Sequence, residues 1–255
     1  MPDLLLTHGY FLYQDAKEVE IMKPYAPLGL LYLSAYLKRQ GFAVEIWDST
    51  FAEPADLAAR FAAGPRGVVG IYTNLITRPA VLAAVAAAKA HGWTVVLGGP
   101  ESANYPAEYL AHGADVVVVG EGEATMAELL PALARQGPHR LHGVPGTVFR
   151  DETGTVVTNP EREQIAVLDS LPWPDREAID TGRYVEVWRR HHGAGSVNMI
   201  TARGCPYRCR WCSHAVFGFT HRRRSPEDSA AELAHIVDAY HPDQVWYADD
   251  VFTIH

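Results

Sequence analysis

The chain has few cysteines and no long apolar run. It contains three cysteines in 255 residues, a small and odd number that argues against a secreted scaffold held together by disulfides. No apolar run approaches the roughly 20 residues that cross a bilayer, so we expect no membrane span. Asp3 interrupts the first apolar run and no basic segment precedes it, which is unlike a secretory signal peptide. These absences predict a cytoplasmic protein with reduced thiols.

Positive charge is also scarce. The chain has 22 Lys and Arg residues against 30 Asp and Glu residues, for a formal net charge of −8. This balance gives no reason to expect nonspecific binding to nucleic acid. The 48% hydrophobic and 20% charged composition is typical of a globular protein. The length allows one large domain or two ordinary ones.

Strand and helix patterns alternate five times in the first half of the chain. Such alternation predicts an open, Rossmann-like, five-stranded parallel sheet covered by helices on both faces. Ligands of these sheets bind beyond the carboxyl ends of the strands. The expected strands are residues 3–7, 42–47, 67–73, 94–97 and 115–119, and the expected helices are 28–40, 54–63, 78–91, 106–112 and 124–135. The strand-end loops that could contact a ligand are therefore 8–27, 73–77, 98–102 and 120–123.

The second half begins with irregular patterns. Residues 146–159 indicate a hairpin that turns at 151–154, and Pro172 and Pro174 indicate a stiff linker. Beyond the linker we expect a strand near 197–201, a helix at 226–240 and a strand at 244–247. The predicted organisation is a first domain at 1–137, a hairpin and linker at 138–195, and a second, incomplete domain at 196–255.

All three cysteines lie on one short loop after the 197–201 strand. Cys205, Cys209 and Cys212 have the spacing C-x3-C-x2-C. Three thiolates on one loop can hold three corners of a cubic iron–sulfur cluster, which leaves the fourth iron open to a small molecule. A structural disulfide would leave one cysteine unpaired. A Cys3His zinc site that uses His214 is a chemically possible alternative.

The cysteine loop resembles that of the radical S-adenosylmethionine (SAM) enzymes. Their signature has this spacing with an aromatic residue before the last cysteine, here Trp211. The resemblance implies a [4Fe-4S] cluster on the three cysteines, reductive cleavage of SAM and a 5′-deoxyadenosyl radical. It also implies that residues 196–255 are the first β-α-β unit of a partial (β/α) barrel. Near its end, Asp249 and Asp250 match the acidic strand end that lies close to SAM in the family, so we expect them, with Trp211, to contact SAM.

The first half resembles the cobalamin-binding domain that precedes the radical SAM domain in one large subgroup. The resemblance rests on PLGLLYLSAYLKRQG, LGGPES and DVVVVGEGEATMAELL. Family members often have histidine where this chain has Glu101. No D-x-H-x-x-G motif is present, so the histidine that ligates cobalt in the methionine-synthase type is absent. The residues that match cobalamin-contacting positions are Thr73, Asn74, Gly98, Gly99, Pro100, Gly120, Glu121 and Gly122.

These resemblances imply a cobalamin-dependent radical SAM enzyme that transfers a methyl group to an unactivated carbon of a small molecule. Expected partners are that substrate and an electron donor such as flavodoxin or ferredoxin. Three alternatives remain open: cyclisation or rearrangement without methylation, a sheet domain that binds substrate instead of cobalamin, and a non-catalytic cobalamin-binding or zinc module. Only the start of the barrel is recognisable, so we expect this piece alone to be inactive.

Overall fold

Seven strands form one mixed sheet in the computed structural model, which describes residues 2–64, 66–212 and 216–254. Their spatial order is β2-β1-β3-β4-β5-β6-β7, and the first five run parallel. The strands are β1 Leu4–His8, β2 Val44–Ile46, β3 Val68–Tyr72, β4 Thr94–Gly98, β5 Val116–Val118, β6 Thr147–Arg150 and β7 Val156–Thr158. The predicted five-stranded parallel sheet is confirmed. The strand count differs because the predicted hairpin, β6 and β7, joins the sheet antiparallel to β5.

The strands are buried on both faces because their side chains alternate between two cores. Leu5 and Ile71 belong to one core, and Leu4, Leu6 and Val96 belong to the other. Successive strand residues point to opposite faces, so a continuous apolar run supplies both cores at once. This pattern requires helices on both sides of the sheet.

Helices follow the parallel strands as the sequence pattern predicts, with two additions. They are α1 Ala16–Ile21, α2 Leu28–Arg39, α3 Pro54–Ala63, α4 Arg78–Ala90, α5 Pro100–Asn104, α6 Pro106–Ala111 and α7 Gly122–Gln136. Residues 8–27 were expected to be a loop, but they contain α1, whose N-terminus is capped by the Asp15 side chain. The other addition, α5, begins at Pro100 directly after the glycine pair.

The second half contains a short parallel sheet. β8 Ser196–Met199 pairs in parallel with β11 Gln244–Tyr247, and α9 Pro226–Tyr240 makes the crossover. The predicted β-α-β unit is therefore confirmed. The cysteine loop leaves β9 Ala202–Arg203 and returns through β10 Arg222–Arg223, an antiparallel pair that the sequence did not predict. Before this unit, α8 Thr181–His192 occupies part of the stretch that showed no clear pattern in the sequence.

A buried charge network packs the second half against α2. The Glu232 carboxylate on α9 accepts hydrogen bonds from Arg176 and Arg224, and all three side chains are buried. Tyr32 of α2 also contacts Arg224, and burial, followed by the nearby Glu232, raises the pKa of Tyr32 to about 12. These contacts hold α9 against the sheet domain.

Among the described residues, no helix has the length and apolar character needed to cross a membrane.

Candidate functional site

The carboxyl ends of β3 and β4 are joined by a hydrogen-bonded threonine. Thr73, directly after β3, donates to the Gly98 carbonyl through its backbone N–H at 2.7 Å and through its hydroxyl at 2.9 Å. The same hydroxyl accepts from the Ser102 N–H at 3.0 Å. Thr73 therefore fixes the path of the 98–102 loop, and its predicted ligand-contacting role stays a prediction.

The two glycines of this loop have different surroundings. Gly99 has φ +102°, and a Cβ atom built there would lie 2.3 Å from the Thr73 carbonyl oxygen. Gly98 has open space within 4 Å of the corresponding position. Gly99 is therefore required by the backbone, whereas Gly98 leaves room at the strand end that a ligand could fill. Pro100 takes the first position of α5.

The loop after β3 exposes apolar surface at the same edge of the sheet. The side-chain oxygen of Asn74 accepts from the Thr77 N–H at 2.9 Å and holds the turn. Between these residues, Leu75 and Ile76 are 66% and 77% exposed. Such exposure of neighbouring large aliphatic side chains is a common mark of a binding surface. The turn therefore presents an apolar edge beside the open Gly98 position.

Glu101 occupies the position where the resembling family often has histidine. Its side chain is buried and forms an ion pair with Arg78. Arg78 also lies over the Tyr105 ring, with the guanidinium carbon 5.8 Å from the ring centroid. The carboxylate is therefore paired within the protein and helps to hold α5 against α4.

The loop at the end of β5 binds an arginine from the base of the cysteine loop. Glu121 accepts from Arg203 at 2.7 Å, and Glu123 accepts from the other terminal nitrogen of the same guanidinium at 2.6 Å. The second oxygen of Glu121 accepts from Arg222 at 2.7 Å and from the Ile165 N–H at 2.8 Å. Glu121 was predicted to contact cobalamin, and the structure engages both of its oxygens with the protein.

The Arg203 side chain is buried and lies close to two aromatic rings. Its guanidinium carbon lies 5.1 Å from the centroid of the Tyr32 ring and 5.3 Å from that of Phe217. Burial alone would lower the pKa of Arg203, but Glu123 and then Glu121 raise it above its usual value. Arg203 is thus a fixed cation two residues before Cys205. The sequence analysis missed it, and its position just before the first cysteine was the available signal.

The three cysteines carry reduced thiols on the loop that follows Arg203. Cys205 is half-buried, and Cys209 and Cys212 are exposed. The Cys212 N–H donates to the Cys209 carbonyl at 3.1 Å. This turn brings the backbones of the last two cysteines close together in space. Trp211, between them, is 88% exposed. Accessible soft thiolates are the donor set that an iron–sulfur cluster requires, so the residues fit that group chemically.

The described residues contain no group of three His, Cys, Asp or Glu side chains already gathered around a metal position. His214, the fourth ligand of the alternative zinc site, lies outside the described residues. The assignment of the three cysteines to a cluster therefore stays a prediction that rests on donor chemistry and spacing.

Two aspartates after β11 hold the backbone that enters the cysteine loop. The Asp249 carboxylate accepts from the N–H groups of Thr201 and Ala202 at 2.6 and 2.9 Å, and from the Thr201 hydroxyl at 2.5 Å. Asp250 accepts from the Gly204 N–H at 2.9 Å. The structure thus gives both residues a role in positioning the loop, and their predicted contact with SAM stays a prediction.

We expect Asp249→Asn to lower the free energy of unfolding by about 1–3 kcal/mol, because a neutral amide oxygen accepts from the Thr201 and Ala202 N–H groups more weakly than the carboxylate does. Denaturant titration followed by tryptophan fluorescence measures the change. Asp238→Asn on the exposed face of α9 is the matched control and should change stability by less than about 0.5 kcal/mol. Equal values for the two variants would contradict the positioning role of Asp249.

A second polar network closes the ends of β1 and β2. His8 Nε2 lies 3.0 Å from Asp48, and the Tyr184 hydroxyl of α8 donates to the other Asp48 oxygen at 2.7 Å. Burial alone would raise the pKa of Asp48, but the contacts with His8 and Tyr184 bring it below its usual value. This network is internally paired, so it anchors α8 to the sheet edge.

Comparison with known proteins identifies relatives of this arrangement. The B12 binding domain family matches residues 19–130. The uncharacterized methyltransferase PH0819 of Pyrococcus horikoshii is 30% identical over 236 residues, which cover 89% of this chain and 49% of that protein. The cobalamin-dependent radical SAM methyltransferase TokK of Streptomyces tokunonensis is 26% identical over 208 residues, which cover 74% of this chain and 28% of that protein.

A solved structure has the same fold. The cobalamin-dependent S-adenosylmethionine radical enzyme OxsB, with aqua-cobalamin and S-adenosylmethionine bound, superposes with a TM-score of 0.79 at 20% identity. The match covers 99% of this chain and 34% of OxsB. The chain thus spans about half the length of the Pyrococcus relative and a smaller part of the others.

Proposed function

Because the chain contains a B12-binding domain and is a homologue of cobalamin-dependent radical SAM methyltransferases, we propose that it belongs to an enzyme that methylates an unactivated carbon of a small molecule. The observation that carries the proposal is the direct contact between the two predicted cofactor loops. Glu121, in the predicted cobalamin loop, is ion-paired with Arg203, which leads into the cysteine loop. Two cofactors that act on one substrate must lie close together, and this contact brings their predicted binding loops together.

The residues proposed to hold the cluster are Cys205, Cys209 and Cys212. When bound, the cofactors supply an electron for the reductive cleavage of SAM and a methyl group for the product. The protein orients the groups and keeps water out. Arg203, Asp249 and Asp250 hold the base of the cysteine loop, and Trp211 is exposed and available for a ligand.

The proposed cobalamin site lies at the ends of β3, β4 and β5. Thr73 fixes the loop after β4, Gly98 leaves open space, and Leu75 and Ile76 offer apolar contact. An apolar edge with a few fixed polar groups suits a large flat ligand such as a corrin. The remaining members of the proposed site are Asn74, Gly99, Pro100, Gly120, Glu121 and Gly122.

Anaerobic reconstitution with iron, sulfide and hydroxocobalamin, followed by elemental analysis, tests the proposal. We expect about four irons per chain, the content of a cubic cluster, and cobalt at the level of a single corrinoid. Replacement of all three cysteines by serine should abolish iron binding and leave the cobalt content at saturating hydroxocobalamin unchanged. Zinc without sulfide would refute the cluster, and iron without cobalt would refute the cobalamin site.

Gly98→Val separates ligand binding from folding. A Cβ atom built at this position has no other atom within 4 Å, and valine suits a strand, so the free energy of unfolding should change by less than about 1 kcal/mol. If the corrin approaches this strand end, the added side chain should weaken hydroxocobalamin binding at least about tenfold, by analogy with an overpacked site. Equilibrium dialysis measures the affinity. Unchanged affinity would exclude Gly98 from the site.

A further inference from the structure

We propose that Arg203 is a positioning residue that couples the cobalamin loop to the cysteine loop, so that a corrinoid bound at the first protects the thiols of the second. The inference rests on the proposed function because it takes residues 120–122 as part of the cobalamin site. The inference adds a physical link between the two proposed sites through Arg203, which belongs to neither sequence motif.

One carboxylate holds both ends of the cysteine loop. Arg203 lies on β9, before the cysteines, and Arg222 lies on β10, after them. Both guanidinium groups donate to Glu121, one to each oxygen, at 2.7 Å. A change in the position of Glu121 therefore affects both ends of the cysteine loop.

A second carboxylate makes the contact with Arg203 rigid. Glu123 accepts from the guanidinium nitrogen that Glu121 does not use. The side chains of Arg203, Glu121 and Glu123 are 6%, 4% and 7% exposed. A planar guanidinium that bridges two carboxylates has one favourable orientation, and little water is available to replace either partner.

Further contacts connect the same two segments. A Cβ atom built on Gly120 would have the Val216 carbonyl oxygen, in the cysteine loop, within 3.9 Å. Gln164, next to the Ile165 that binds Glu121, donates to the Phe217 carbonyl at 2.7 Å and accepts from the Thr220 hydroxyl at 2.7 Å. The cysteine loop is thus packed against the end of β5 through several independent contacts.

Such a link has a thermodynamic consequence. If a ligand stabilises one arrangement of the 120–123 loop, it must stabilise the arrangement of the cysteine loop that is paired with it. The effect is reciprocal, so occupation of the cysteine loop also strengthens corrinoid binding. The transmitting element is the Arg203 guanidinium, because it contacts both carboxylates directly.

Alkylation of the apo chain by a maleimide, followed by mass spectrometry of Cys205, Cys209 and Cys212, measures the coupling. Saturating hydroxocobalamin should slow alkylation by about fivefold or more, the lower end of typical coupling between sites. Arg203→Lys keeps the charge but lacks the planar fork of donors that bridges Glu121 and Glu123 in one fixed orientation. It should retain hydroxocobalamin, as checked by equilibrium dialysis, and reduce the protection to less than about twofold.

Arg140→Lys is the matched control, because the exposed Arg140–Glu152 ion pair includes no residue of the 120–123 loop or the cysteine loop and should leave the protection unchanged. Equal protection in the wild-type chain and in Arg203→Lys would overturn the inference, since cobalamin would then shield the thiols directly. Bound cobalamin without protection in the wild-type chain would also overturn it, whatever the stability of the variant. Failure to bind hydroxocobalamin at all would refute the proposed function together with the inference.

Discussion

Replacement of Arg203 by methionine is expected to lower the free energy of unfolding by about 3–5 kcal/mol, the cost of breaking a buried ion pair from one side. Methionine matches the unbranched arginine side chain as far as Nε, so the aliphatic part of the packing is kept while the guanidinium group near the Tyr32 and Phe217 rings is removed. The cost arises because Glu121 loses one of its cations and Glu123 loses its bridging partner. Denaturant titration monitored by circular dichroism gives the value.

A double-mutant cycle assigns that cost to the ion pairs. In the background of Glu123→Gln, one of the carboxylates stranded by Arg203→Met is already neutral, so the same substitution should cost at least about 1 kcal/mol less. Arg140→Met, which breaks the exposed pair with Glu152, should leave the free energy of unfolding nearly unchanged, because solvent screens that pair. If Arg203→Met cost as little as Arg140→Met, the carboxylates would be accessible to water.

Replacement of Gly99 by alanine is expected to lower the free energy of unfolding by about 3 kcal/mol or more, from backbone strain plus a steric clash. The residue has φ +102°, and the new methyl group would lie 2.3 Å from the Thr73 carbonyl oxygen. That oxygen is backbone and cannot rotate away. Relief requires movement of the 98–102 loop, which would also break the hydrogen bonds of Thr73 with Gly98 and Ser102.

Gly137→Ala separates the two contributions. Gly137 has φ +72° at the end of α7 and open space within 4 Å of the added methyl group. Its ψ of −177° puts it in the same backbone region as Gly99, so it should show the backbone cost alone, about 1–3 kcal/mol. The difference between the two variants, measured by thermal or denaturant unfolding, reports the clash with Thr73. Equal losses in both variants would contradict the close approach of the two loops.

The sequence predicted the sheet because its strands are buried on both faces. Leu4–Leu6 and Val116–Val118 are continuous apolar runs bounded by loops, and such runs leave few alternatives to a covered parallel sheet. The hairpin was also recognised, but its pairing with β5 was not. Pairing between distant segments depends on three-dimensional packing that local patterns do not contain.

The contacts at the candidate site were the least predictable part. Glu121 and Asp249 were selected by motif, whereas their partners Arg203 and Thr201 are far from them in the chain. Pairs of charged residues at large sequence separation leave no periodic signal, so the sequence could indicate the motifs without their connection. The prediction missed α1 for a different reason: Asp15 forms a local cap, but the helix has no buried residue that would create an apolar pattern.

The attachment of both ends of the cysteine segment to Glu121 also concerns chain entropy. A segment with free ends must lose much conformational freedom before three of its side chains can meet at one point. Here the pairing of β9 with β10 and their ion pairs with Glu121 already hold the two ends of the segment together. The entropy lost in closing this loop is therefore lost when the protein folds. The three thiols are therefore confined to a restricted volume, which lowers the entropy cost of gathering them around the proposed cluster.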